Sequence, residues 1–357
     1  MVSKRQGIIS LIVVIVLVAA GLVVVTESNN KGSTNSGTEY VIDAMDRNIT
    51  TSIMPERIIS TSPAITTLVY ALGAQDRLVA VDSYSDFPSN VTDRVNNGTL
   101  AVIGGFYDPN LESIVNASGA NDSTALVLLD SSVQSDVDMA TQLNEFGINY
   151  VFFYEGANTT EVYENIELGG KVLHESSNAT SLITEMQGRF ATIESSVGSP
   201  TSKPRVMFVD YYDSSSLDVV GNQTFINDII TAAGGINAFG NVTGYPDVSG
   251  EAAVAANPDY IIVSASMSVQ DPQSVYDEVM NDSLLRLTPA VHNDHVYIID
   301  NQMENAFLEN GIREVDAAQI LAEILYPSTF NSQIPHILGD EYVNYLPSSW
   351  NASSTVL

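Results

Sequence analysis

The chain repeats itself. In one copy Arg57-Ile58-Ile59-Ser60 opens an apolar strand, a helical stretch runs from Thr66 to Leu72, and Gly73 stops it. In the other, Arg205-Val206-Met207-Phe208-Val209 leads through Phe225 to Ala233 and stops at Gly234-Gly235. Further along each copy a turn enters a short helix that carries an early glutamate and feeds another apolar strand. These are Asp108-Pro109-Asn110-Leu111-Glu112 before Ala125 to Leu129, and Asp247-Val248-Ser249-Gly250-Glu251 before Tyr260 to Val263. A duplicated strand–helix unit of this size predicts two similar α/β lobes, and two lobes in one chain enclose a cleft.

Composition narrows what such a cleft can serve. With 45% hydrophobic residues the chain has material for a real core in each lobe. Its formal charge of -30, from 43 acidic and 13 basic residues, opposes binding to nucleic acid or an anionic lipid surface. It suits solubility or a salty exterior. Cysteine is absent, which excludes disulfides, thiolate metal sites, a cysteine nucleophile and a lipidated cysteine anchor.

Lys4 and Arg5 precede an apolar run from Ile8 to Val25. As a helix that run is about 27 Å long at about 1.5 Å per residue, nearly the depth of a bilayer. Leu22 to Val25 continue it past the small residues Ala19-Ala20-Gly21, so residues 1–25 read as an uncleaved anchor in preference to a signal peptide. The positive end stays inside and the rest of the chain lies outside the cell membrane. Residues 26–39, rich in Ser, Thr, Asn and Gly, read as a flexible tether. An external location agrees with eleven Asn-x-Ser/Thr triplets, among them those at Asn158, Asn178, Asn222 and Asn281, although an Asn- and Ser-rich sequence also makes such triplets by chance.

The body divides into a first lobe over 40–177, a connecting helix over 178–198, a second lobe over 199–326 and a tail over 327–357. Tyr40 to Ile42 and Asn48 to Ile53 resemble an edge hairpin. Strands at Arg57–Ser60, Leu78–Val81, Ala125–Leu129 and Tyr150–Tyr154 alternate with helices, which predicts a mostly parallel, helix-covered sheet. The second lobe repeats this with strands at Arg205–Val209, Tyr260–Val263 and Val296–Ile299 and helices that include Phe225–Ala233, Val275–Met280 and Arg313–Leu325. Between them Leu182, Met186, Ile193 and their neighbours make an apolar stripe on a helix of about five turns, with cap candidates in Ser176-Ser177-Asn178 and a stop at Gly198. Such a helix is a stiff connector, so the lobes are expected to close on a ligand by a small rotation. The tail has no assignable place.

No Gly-x-Ser-x-Gly elbow, phosphate loop or dinucleotide fingerprint is present, and four histidines without cysteine leave most hydrolytic and metal-dependent mechanisms short of parts. His292 and His295 bracket Asn293-Asp294, a spacing that permits a metal pair but is better explained as a hairpin turn. The chain is read as having no catalytic and no metal-ligating residue. A metal-dependent surface hydrolase and a glycosylated adhesion module are the readings from other classes. The positive signal is aromatic: Tyr84, Phe106-Tyr107, Tyr211-Tyr212 and Tyr245 all stand in turns expected at the carboxyl ends of parallel strands, where open sheets bind ligands and flat side chains pack against a planar guest.

The string from Arg57 to Gly73, followed by Ser83-Tyr84-Ser85-Asp86-Phe87-Pro88, resembles the opening of substrate-binding proteins of metal-chelate ABC importers, which take up vitamin B12, iron-siderophores and haem. Ile103 to Glu112, Ala233 to Asn237, Gly244 to Glu251 and Asn257 to Ile262 continue the resemblance in order. It covers roughly Tyr40 to Tyr326 and is closest to the vitamin B12 binders. It implies two Rossmann-like lobes with mostly parallel sheets, joined by one long helix around a ligand cleft. Glu112 and Glu251 match the glutamates that dock into arginine-bearing pockets of the membrane permease, one per lobe. Tyr84 matches a tyrosine that touches the corrinoid, Phe106 and Tyr245 fall on aromatic walls, and Arg313 matches an arginine near the pocket. Pro63 and Ala64 in the matched string, with Tyr107 and Tyr211, complete the expected ligand contacts. Anionic catecholate chelates are usually gripped by several basic residues, and Arg313 is the one candidate near the cleft, which favours a neutral or weakly charged chelate. The expectation is an anchored extracellular protein that delivers a chelate, most simply a corrinoid and alternatively a siderophore or haem, to its permease. No cofactor of its own is expected.

Overall fold

A computed structural model describes residues 40–119, 122–213, 216–265 and 271–351. The apolar run at Ile8 to Val25, the tether and the triplet at Asn121 lie outside the described residues.

The body opens with β1 (Tyr40–Ile42) and β2 (Asn48–Thr50), paired antiparallel as a separate two-stranded sheet. The hairpin is not an edge of the main sheet but is pinned to it. The buried Asp43 carboxylate accepts from Arg47 Nε at 3.0 Å and from the Phe152 amide at 3.1 Å, while the Arg47 guanidinium lies 4.1 Å from the Tyr150 ring centre.

The first lobe then runs β3 (Arg57–Ser60), α1 (Pro63–Ala71), β4 (Leu78–Val81), α2 (Ser89–Asn96), β5 (Ala101–Val102), α3 (Leu111–Ser118), β6 (Ala125–Asp130), α4 (Gln134–Glu145), β7 (Asn149–Phe153) and α5 (Thr159–Val172). Its five strands lie in the order β5-β4-β3-β6-β7, all parallel. Every residue of β6 is buried, as a central strand covered on both faces requires. Helix α6 (Ser176–Val197) leaves this lobe and ends at Gly198, whose φ of +66° suits glycine. Its N-cap is Glu175, not the expected Ser176-Ser177-Asn178, which lie inside it; Asn178 instead donates to the Leu72 carbonyl at 2.9 Å and so ties α6 to the end of α1.

The second lobe continues with β8 (Arg205–Asp213), β9 (Ser216–Val219), α7 (Phe225–Ala232), β10 (Ile236–Asn237), β11 (Asp247–Val248), α8 (Gly250–Ala256), β12 (Tyr260–Ser264), α9 (Pro272–Asn281), α10 (Pro289–His292), β13 (Val296–Ile299), α11 (Asn301–Leu308) and α12 (Glu314–Leu325). The repeat is visible as topology. The run β4-β3-β6-β7 of the first sheet matches the parallel run β10-β8-β12-β13 of the second. What differs is an antiparallel extension, β9 and β11, at one edge. His292 ends α10 and His295 precedes β13, so Asn293-Asp294 turns a helix into a parallel strand and not a hairpin. His295 stacks on Tyr260 with ring centres 4.3 Å apart.

The tail is structural. After α13 (Pro327–Phe330), β14 (Ile337–Leu338) adds a parallel strand beside β13, Tyr342 is buried, and α14 (Ser348–Asn351) lays Trp350 over Arg189 of α6 at 4.8 Å. Each sheet turns one face to a private core, with Ile59, Val127 and Leu143 in the first lobe and Met207, Val263 and Ile298 in the second. The other faces share one continuous core that runs from Ile58 and Leu68 through α5 and α6 to Phe208, Ile229 and α12. Every residue of α12 is buried. The connecting helix is therefore one part of a common helical layer, and the described residues beyond 37 form one compact unit.

Candidate functional site

Between the carboxyl ends of the first sheet's strands and the segment Asn305–Ile312 of the second lobe lies a cavity of about 670 Å³. This is where an open parallel sheet is expected to bind. The lobes touch around it. Arg313 of the second lobe stands 4.2 Å over the Phe87 ring of the first, Asn310 Nδ2 donates to the Glu155 carbonyl at 3.1 Å, and Thr159 donates to Glu314 at 3.3 Å.

Its aromatic wall is set by buried polar groups. Asp82, at the end of β4, accepts from the Tyr84 amide at 2.8 Å and from the Ser85 hydroxyl, and Ser85 is linked to Thr66 of α1 at 2.8 Å. Burial pushes the Asp82 carboxyl up to about 6 against the lowering effect of these bonds. The result is a fixed turn from which Tyr84 projects, 62% exposed, into the cavity lining. Phe106 and Tyr107, which follow Gly105 beside the Tyr84 ring, pack edge to face with centres 4.7 Å apart. Gly104 holds their loop at φ +108°, where a side chain would stand 2.7 Å from the Asp108 carbonyl oxygen.

Of the expected contacts, Pro63, Ala64, Tyr84, Phe106 and Tyr107 line the cavity, and Tyr211, Tyr245 and Arg313 do not. Arg313 is 2% exposed. It donates to Gln302 Oε1 and to Glu309 at 2.7 Å each, which makes it a strut behind the wall, not a cation offered to a ligand. Tyr211 belongs to the extended β8, paired with Asp218 of β9. Tyr245 is 48% exposed, and its phenol is driven above the ordinary range by desolvation and then by the negative charges of Asp210 and Glu155. Sequence reading missed the acidic lining. Asp86, Asp130, Glu155 and Glu309 face the cavity, and among the described residues no Lys, Arg or His does. Asp130 terminates β6 and Glu155 stands two residues beyond β7, so the signal was a carboxylate at or just past the end of an apolar strand. The wall at Asn305–Ile312 was missed because α11 was not predicted.

Both predicted docking glutamates are exposed in the first turn of a short helix. Helix α3 is capped by Asn110, which accepts from Ser113 at 2.9 Å, and α8 by Ser249, which accepts from Ala252 at 3.3 Å. The strand-opening arginines hold the other ends: Arg57 donates to the Ala117 carbonyl at 2.9 and 2.6 Å, and Arg205 to that of Ala256 at 3.0 Å. The duplication thus preserves a whole device, with a glutamate on a helix clamped at both ends. Asn178, one of the glycan acceptor candidates, commits both amide hydrogens within the fold, to the Leu72 carbonyl at 2.9 Å and to Glu175 Oε2 at 3.0 Å, which does not support glycosylation there.

Two matching α/β lobes sharing a helical layer, with a cavity at the strand ends between them, define a bilobal ligand-binding protein. A family model for periplasmic binding proteins matches residues 58–303, more than half of the chain, and the chain belongs to that family. An ABC transporter substrate-binding lipoprotein of Bacillus subtilis is 24% identical over 85% of this chain and 90% of its own length. A cobalamin-binding protein of Halobacterium salinarum is 26% identical over 74% and 68%. Among solved structures, a periplasmic haem-binding protein of Roseiflexus in apo form superposes with a TM-score of 0.65 at 23% identity, covering 77% of this chain and 99% of that one. The protein is a substrate-binding protein of the kind that serves ABC transporters, and members of its family bind substrates rather than transform them.

Proposed function

We propose that this chain captures a corrinoid outside the cell membrane and delivers it to an ABC permease without transforming it. The observation that carries the reading is the cavity itself: it is walled by Tyr84, Phe106 and Tyr107 and has no basic side chain in its described lining. Flat aromatic side chains suit a large ring-shaped guest. The acidic lining disfavours haem, with its carboxylates, and anionic catecholate chelates, whereas the amide groups around a corrin can donate to Asp130, Glu155 and the Asn310 carbonyl oxygen. The cobalamin-binding relative supports the same choice. Glu112 and Glu251 then present one carboxylate per lobe to arginines of the permease, a bidentate pairing that clamped helices would hold ready. The N-terminal run from Ile8 to Val25 is the anchor; with no cysteine in the sequence, attachment through a lipidated cysteine is closed to this chain.

Titration of the protein with cobalamin, haem and a panel of ferric siderophores, followed by tryptophan and tyrosine fluorescence and by visible absorbance, tests the ligand. Saturable binding of cobalamin alone is expected. Tight binding of a siderophore or haem with no response to cobalamin would overturn the reading.

A further inference from the structure

Among the described residues the cavity lining carries four carboxylates, neutral hydroxyls and amides, and no cationic side chain. Asp130 and Glu155 stand at the ends of the neighbouring strands β6 and β7, and Asp86 closes the Tyr84 turn. Glu309 is the one lining carboxylate with a cation of its own, Arg313, whose two terminal nitrogens bond Gln302 and Glu309 while its plane lies over Phe87 and its enclosed Nε has no partner. Behind the lining the buried Asp82 and Asp136 are held by neutral donors only: Ser85 and the Tyr84 amide for one, Thr61 and the Asp130 amide for the other. A separate observation points the same way. Asn310 lines the cavity, its amide nitrogen is committed to the Glu155 carbonyl, and its enclosed Oδ1 has no hydrogen-bond partner. An enclosed acceptor without a donor is costly until a guest supplies one.

We infer that this cleft selects its cargo by positive charge, taking the cationic form of a metal chelate over the neutral form of the same ring, with Glu155 and Asp86 as the discriminating residues. The inference rests on the corrinoid reading for its probe but not for its logic. Like charges gathered in a cleft repel one another and hold their field where water is partly excluded, so a cation gains there what an anion loses.

The test compares aquocobalamin, cationic at pH 6, with neutral cyanocobalamin on the full chain at low and high salt. No histidine lines the described cavity to displace the axial water. The cationic corrinoid is expected to bind about tenfold tighter at low salt, with the gap closing as salt screens it. Glu155→Gln, and separately the exposed Asp86→Asn, should narrow the gap by weakening the cationic corrinoid more than the neutral one; melting curves for each variant establish that it is folded. Equal affinity for the two corrinoids, or a gap indifferent to salt and to both substitutions, overturns the inference while leaving the corrinoid reading intact. If neither corrinoid binds, the corrinoid reading falls, and a tetracationic and a tetraanionic water-soluble porphyrin decide the charge inference: preference for the cation sustains it, and indifference or preference for the anion ends it.

Discussion

At the scale of single residues, the site depends on groups with two unlike tasks. Tyr84 is exposed and touches little of the fold, so Tyr84→Ala should weaken ligand binding about tenfold or more while leaving the melting temperature within a degree or two, as surface truncations do. Parallel titration and melting measurements check it. Asp136 does the opposite work. Fully buried, it accepts from the Asp130 amide at 2.8 Å and lies close to the hydroxyl of Thr61, and burial drives its carboxyl up to about 7, with Asp82 at about 6. Both values lie above the ordinary 3.8, so the folded state binds protons more tightly than the unfolded chain. The stability these groups contribute is full below about pH 4 and is lost as pH rises through 6 and 7. Denaturant midpoints should therefore rise on going from pH 8 to pH 5.5, and Asp136→Asn should flatten that slope. A midpoint that rises with pH over this range would contradict it.

At the scale of elements, the clamped glutamate helices are the clearest product of the duplication. Replacing Glu112 and Glu251 together by Ala should abolish cellular uptake of the ligand while leaving its affinity for the purified protein unchanged, which paired uptake and binding assays resolve. Gly156 marks the place where a loop of the first lobe meets the second. Its φ is +76°, and a side chain there would stand 2.7 Å from the Asn310 carbonyl oxygen. Gly156→Ala should cost about 1–3 kcal/mol of stability and loosen ligand binding by spreading the cavity wall, measured by chemical denaturation and titration. The sequence made much of this legible. Alternating apolar strands and glycine stops repeat in both halves, because a parallel sheet covered on both faces demands continuous apolar runs. The short strands β9, β11 and β14 were not legible, since two to four residues carry too little pattern. Arg313 was misplaced for a different reason: an arginine beside a pocket and an arginine holding a buried glutamate look the same in sequence until Glu309 folds against it. The lining carboxylates, by contrast, followed directly from Asp130 and Glu155 at their strand ends and were legible but unread.

At the scale of the whole molecule, the common core decides how the protein behaves under stress. Helix α12 is buried throughout, α6 is held by Asn178 at one end and Trp350 nearer the other, and β14 ties the tail to the second sheet. Heating should accordingly give a single calorimetric transition with equal calorimetric and van't Hoff enthalpies; two resolved peaks would show the halves melting independently. The same shared layer limits how far the jaws can gape, because every ångström of separation would drag fused apolar surface into water. Loading must then proceed through small breathing excursions, and in the proposed delivery to a permease the leverage for unloading would have to come from the membrane machinery, because the carrier is built without a loose hinge.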